Sequence, residues 1–194
     1  RIVFVSHHQK DSYMMAHGVR SNESAVMLNA IDPIDPHQKD MSVIRLIYHT
    51  TPHRGLELLV PVFEHLCTIP NMPKIHLDVY SSFSIYNRAS SDAPYEPLFE
   101  KIRQHPNMTY HGARPNDVIR KALQEAHIYA YPNIWPETGC ISAMEAMSAR
   151  CAVVTNNHAC LYETLGGFGM MYQFDENVQR HANTFAHVLQ MTIQ

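Results

Sequence analysis

From Ser42 onward, short apolar runs alternate with segments of helical periodicity, and this alternation predicts a parallel sheet covered by helices. The predicted strands are residues 43–48, 75–80, 108–111, 128–131, 152–155 and 170–172. After the first of them, Leu56, Leu59, Val60, Phe63 and Leu66 share one face of a predicted helix over 55–66, which Pro61 is expected to bend. Asn116, a good capping residue, predicts a second helix through Gln124, and 161–165 reads as a short third one. Residues 84–94, rich in serine and ending in Pro94, read as a mobile surface loop.

Residues 1–41 break this rhythm. A short strand over 2–6 leads into a polar helix, a stop at Gly18, a second strand near 25–28, and the linker Asn29-Ala30-Ile31-Asp32-Pro33. The fold class expected is therefore α/β, a Rossmann-like parallel sheet with helices on both faces over 42–194, with 1–41 standing apart.

Composition narrows the function classes. The chain has 194 residues, enough for one full domain with a remainder. Its 45% hydrophobic content and formal net charge of -3 describe a globular protein and make nucleic acid an unexpected partner. No apolar run is long enough to span a membrane, and the start Arg1-Ile2-Val3-Phe4-Val5 is too short for a signal-peptide core. Cys67, Cys140, Cys151 and Cys160 show no pairing pattern, which favours a reducing cytoplasm. The 14 histidines are scattered without two on one helix face, so no metal site is expected.

The run Trp135-Pro136-Glu137-Thr138-Gly139-Cys140-Ile141-Ser142-Ala143-Met144-Glu145-Ala146-Met147 carries the most chemistry. Pro136 and Thr138 are helix-start signals, which place Glu137 at a helix entrance. Ile141, Met144, Met147 and the alanines make that helix too apolar for water, so Glu145 should be buried and in need of a cation or ligand hydroxyls. The amides of Gly139, Cys140 and Ile141 in the first turn lack helical partners and suit an anion. A second anion-site pattern is Tyr48-His49-Thr50-Thr51-Pro52-His53-Arg54-Gly55-Leu56, a strand end turning into a helix.

Two glutamates with seven residues between them, as Glu137 and Glu145 are, resemble the donor-site signature of retaining glycosyltransferases of the GT-B fold, in particular their family 4. The resemblance implies that Glu137 holds hydroxyls of the transferred sugar and that Glu145 accepts hydrogen bonds from the nucleotide ribose. Ionised carboxylates, which only accept, suit vicinal hydroxyls. Gly139, Cys140 and Ile141 would then face the diphosphate or the sugar, with Gly139 allowing close approach. Arg54-Gly55 matches the family's lysine-glycine pair with arginine for lysine, a better fork for phosphate oxygens. His49 stands where the family has an arginine, and a neutral imidazole there donates a single hydrogen bond.

Tyr110-His111-Gly112-Ala113-Arg114 resembles the segment whose backbone lies beside the base, which implicates Gly112 and Arg114. Glu163 matches a family glutamate, while Asn157 and His158 occupy a glycine region. Ser81 and Ser82 are minor candidates for the same channel. Ala149-Arg150-Cys151-Ala152 departs from the family's glycine and proline, which puts the local backbone geometry in question. The linker resembles the family's Asn-Gly-Ile-Asp with Ala30 for glycine. Residues 1–41 are thus expected to be the tail of an acceptor-side N-terminal domain plus the linker, and 42–194 the C-terminal donor-side domain, a fragment of about half of a two-domain enzyme.

The implied reaction moves a sugar from a nucleotide-diphosphate donor to a hydroxyl acceptor with retention, in polysaccharide or glycoconjugate synthesis. It implies no cofactor and no metal. A glycan or lipid-linked acceptor would be recognised through the missing N-terminal domain, so the fragment alone is expected to be inactive or nearly so. The setting implied is the cytoplasm, including the cytoplasmic membrane surface. Two alternatives stay open: a non-catalytic nucleotide-sugar-binding module, and another enzyme on the same sheet, such as a sugar-nucleotide epimerase or a phosphorylase-like catalyst. Lys101 and Lys121 lie in ordinary amphipathic contexts, which argues against a Schiff-base lysine. Donor base, donor sugar and acceptor are not specified.

Overall fold

The computed structural model describes residues 1–194, and its first unit is a small βαβ turn. Strand β1 (Ile2–Phe4), helix α1 (His7–His17) and strand β2 (Ser24–Val26) form it, the two strands pairing in parallel as a sheet of their own. Gly18 closes α1 in the left-handed region, as its stop signal predicts, and α1 buries no residue.

The main sheet has six strands: β3 (Ile44–Tyr48), β4 (Ile75–Val79), β5 (Met108–Tyr110), β6 (Ile128–Tyr131), β7 (Ala152–Asn156) and β8 (Met170–Tyr172). Their order is β5-β4-β3-β6-β7-β8 and every pairing is parallel. The helices between and after them are α2 (Leu56–Thr68), α3 (Glu96–Gln104), α4 (Asn116–Glu125), α5 (Ile141–Ser148), α6 (Leu161–Leu165) and α7 (Val178–Ile193). Helix α2 packs with α7, while α5 packs with both α4 and α6, which forms the two helical layers.

Burial follows position in the sheet. All of β6 and the last three residues of β3 are buried, as expected of strands covered on both faces. Toward the β5 edge, Ile75, Leu77 and Val79 of β4 go inward while His76 and Asp78 reach partial solvent. From β3 the chain steps one way to β4 and β5, then returns through α4 to the other side of β3. The order therefore reverses between β3 and β6, and a crevice opens beyond their carboxyl ends.

Several expectations need correction. Helix α5 starts at Ile141, so Pro136 and Thr138 lie in a loop and Glu137 precedes the helix by four residues. Asn116 is the first residue of α4 rather than its cap; Pro115 holds the capping position, and the Asn116 amide reaches Glu145 instead. Helix α2 continues through Pro61 to Thr68. Residues 84–94 belong to two 3-10 turns, Phe83–Tyr86 and Ala89–Tyr95, because the Asp92 carboxylate gathers the local donors Ser82 Oγ and Phe83 N. Helices α3 and α7 were not among the predicted elements. Both are amphipathic, and α7 buries His181, Phe185, Leu189 and Ile193 at regular four-residue spacing.

Candidate functional site

Gly55 is where the backbone sets the site. It sits at φ +124°, and a Cβ there would collide with the Pro132 carbonyl at the end of β6. Only glycine lets the turn Pro52–Arg54 press against β6, and this contact aims Arg54 across the crevice. Arg54 Nη1 donates to Glu137 Oε1, which also accepts the Tyr131 hydroxyl at 2.6 Å. Burial opposes the charge on Arg54, yet the Glu137 carboxylate outweighs it and raises the guanidinium pKa above its ordinary value. The loop bearing Glu137 is shaped from below by Asn133, whose side chain donates to the Trp135 carbonyl at 2.6 Å and accepts the Trp135 N–H at 2.9 Å. Asn156 Nδ2 in turn donates to the Asn133 carbonyl at 2.6 Å.

Glu145 is the second acid. Both carboxylates are only 6% exposed, and both line a crevice of about 420 Å3 together with Arg54. Glu145 Oε1 accepts Asn116 Nδ2 at 3.0 Å, with Arg120 Nη1 farther off at 3.8 Å. Arg120 spends its better hydrogen bonds on the linker carbonyls of Asp32 and Pro33, at 3.0 and 2.6 Å. No protein group donates to Glu145 Oε2. The buried acid is thus half satisfied from within, and its second oxygen is left for a donor from the crevice.

The remaining candidates divide. His49 lines the crevice with its ring against Tyr129 at 4.7 Å; burial pushes its pKa down to about 4, so it is neutral at pH 7. Arg114 and Ile141 also line it, beside Tyr80 and Ile119. Cys140 is buried there, and burial, reinforced by Glu137, pushes its thiol up to about 12. Of the three amides expected to be free, Ile141 N–H is taken by the Gly139 carbonyl at 3.1 Å. Those of Gly139 and Ser142 have no backbone acceptor, while the Cys140 N–H is turned to the Cys160 sulfur.

Gly139 borders the crevice, but its missing side chain makes room for Asn29 and Val5 of the N-terminal segment, not for a ligand. Gly112 lies outside the lining; it takes a left-handed φ of +67°, and a Cβ there would meet the Tyr110 ring at 3.9 Å. Glu163 is not brought to the crevice. Its carboxylate accepts His7 N–H at 2.9 Å, His8 N–H at 3.1 Å and His7 Nδ1 at 2.8 Å, which caps α1 and fastens the N-terminal unit to α6. Thr50, Ile85, Tyr86, Asn116 and Thr138 join the lining unforeseen, because no periodic pattern marks them. Ser82 lines it, whereas Ser81 does not.

The family model described as glycosyl transferases group 1 matches residues 31–191. No curated protein matches the chain significantly by sequence. Among solved structures, a glycosyltransferase from Rickettsia africae is similar over 100% of this chain and 58% of its own, with 13% identity and a TM-score of 0.68. WaaG, a glycosyltransferase involved in lipopolysaccharide biosynthesis, gives 98%, 53%, 16% and 0.73 in the same order. HepE from Anabaena, in complex with UDP-glucose, gives 98%, 55%, 14% and 0.69. At these identities the likeness speaks for the fold alone. The chain spans between about half and three fifths of the length of these proteins.

Proposed function

This chain belongs to the glycosyl transferases group 1 family, and we propose from that premise that its crevice holds a nucleotide-diphosphate sugar for retaining transfer to a hydroxyl acceptor, in polysaccharide or glycoconjugate synthesis. One observation carries the reading: Glu145, buried beside Arg54 and Glu137 at the sheet's switch point, keeps an oxygen that no protein donor claims. A ribose hydroxyl supplies that donor. Glu137, already oriented by Tyr131, takes sugar hydroxyls with its remaining acceptor capacity.

As the bond between sugar and phosphate breaks, negative charge grows on the leaving diphosphate. Arg54 has five donors in its fork, enough to keep Glu137 and reach a phosphate oxygen, and the amide of Gly139 adds to the same field. These groups favour the transition state over the ground state because they meet charge that is only then developing. No lysine lines the crevice, which leaves Schiff-base chemistry without its nucleophile.

The same reading takes residues 1–41 as the end of an acceptor-side domain plus linker and 42–194 as the donor-side domain. A glycan or lipid-linked acceptor would meet the former, so the chain by itself binds donor and turns it over slowly or not at all. The unpaired spacing of the cysteines supports a cytoplasmic setting, and no helix is long and apolar enough to cross a membrane. A second reading, a binding module without turnover, is favoured by one feature: neutral His49 adds no charge to Arg54 and Arg114, the arginines that line the crevice.

Calorimetric titration of the chain with UDP, GDP and their sugars tests the site. Binding that Glu145→Ala abolishes or cuts sharply is expected; a variant that binds as the wild type does would refute the ribose assignment. Donor hydrolysis by a two-domain protein carrying this chain then separates transferase from binding module.

A further inference from the structure

Residues 82–95 form an arm whose backbone is pinned on two sides. Asp92 accepts Ser82 Oγ and the Phe83 N–H, the latter at 2.8 Å, and Asn87 closes the first turn at φ +56° with its N–H on the Ser84 carbonyl at 3.0 Å. On the other side the Phe83 ring stacks on His53 at 5.1 Å, and His53 meets the edge of Trp135 at 4.7 Å, so an aromatic ladder ties the arm to the loop that bears Glu137. At the tip of this fixed turn Ile85 and Tyr86 stay 50% and 56% exposed while lining the crevice. A rigid mount that holds a large half-bare aromatic over a polar cleft calls for something to fill the gap.

The chemistry of that wall selects the occupant. Arg54, Arg114 and the Gly139 amide are donors along the crevice, and Tyr86 adds a phenol hydroxyl that lines the same space. Two acids line the same crevice: Arg54 answers Glu137, and Glu145 keeps one oxygen for a ligand hydroxyl. Donors in excess of acceptors suit a ligand that brings its own acceptor oxygens.

We propose that the Tyr86 hydroxyl donates a hydrogen bond to the terminal phosphate of the bound nucleoside diphosphate, and that Asp92 is the positioning residue which holds the arm for it. This rests on the donor-site reading above. It extends that reading to a residue outside the glutamate pair and the arginine turn.

The test compares nucleotides that differ only in that phosphate: calorimetric titration of the 194-residue chain with UDP and UMP, and with GDP and GMP in parallel. Tyr86→Phe is expected to weaken the diphosphate by roughly fivefold, the size of one ordinary hydrogen bond, and to leave the monophosphate unchanged. Asp92→Asn should lower the same ratio with Tyr86 intact. Because Tyr86 is exposed, its replacement leaves folding alone. A diphosphate-to-monophosphate ratio that stays at the wild-type value in Tyr86→Phe overturns the proposal, while Glu145→Ala, expected to weaken both nucleotides alike, still reports on the ribose site. If the wild-type chain binds none of the four, the donor-site reading fails and this inference falls with it.

Discussion

Arg54 and Glu137 hold each other in a place where neither can stand alone. With the side chains 20% and 8% exposed, removing one leaves a nearly desolvated charge behind. Arg54→Ala is therefore expected to destabilise the fold by about 3 kcal/mol, measured by urea unfolding, whereas Glu137→Gln, which keeps an acceptor for Tyr131, should cost clearly less. Arg54→Lys separates stability from binding: the charge stays, the fork is lost, and diphosphate affinity should fall while the unfolding midpoint barely moves. For Glu145 the readout is the ligand. Glu145→Gln retains one acceptor but loses the charge, and a drop in UDP affinity of at least tenfold is expected, since hydrogen bonds to a charged group are worth about 1.5–3 kcal/mol. An unchanged dissociation constant in calorimetry would show that the free Oε2 meets no ligand.

Helix α5 ends in a way its sequence does not favour. Arg150 takes φ +60° just after the helix, with its own N–H on the Met147 carbonyl at 2.9 Å and the following Cys151 N–H on the Ala146 carbonyl at 2.9 Å. That closing motif asks for glycine, and a side chain there costs on the order of 1 kcal/mol. Arg150→Gly should raise the thermal midpoint by a few degrees in calorimetry; a lowered midpoint would mean that the arginine side chain contributes more than its backbone loses. The departure at Arg150 was visible in the sequence, as were the six strands, because apolar runs and missing glycines are local signals. The helix start at Ile141 was not, since Pro136 and Thr138 carry start chemistry that the Asn133 and Asn156 hydrogen bonds override. The arm over 82–95 was equally hidden: its order comes from one carboxylate, Asp92, and from aromatic contacts across the chain. Glu163 matched a family position in sequence but is turned by the folded chain toward the start of α1.

Across the whole molecule, histidines set the acid limit. His49, His53, His76, His127, His158 and His181 are all held below the ordinary imidazole pKa, with burial the leading cause for each. Above pH 6.5 both folded and unfolded chains carry them neutral, so they contribute nothing to the pH dependence. As pH falls below 6.5 the unfolded chain takes up protons that the folded chain refuses, and stability drops. For His49 that window runs from 6.5 down to about 4 and is worth about 3 kcal/mol at its end. Denaturation midpoints should fall steadily between pH 7 and pH 5, before most carboxylates titrate, and His49→Gln should flatten part of that slope; a flat profile over this range would contradict the burial of these rings. The chain also has a single tryptophan, and Trp135 sits edge-on to His53 with the Arg54 guanidinium 6.0 Å from its ring. The one indole emitter of the protein thus stands on the loop that bears Glu137, in contact with Arg54, so occupancy should register as a change in its intrinsic fluorescence, with no label attached and every variant above readable in a cuvette.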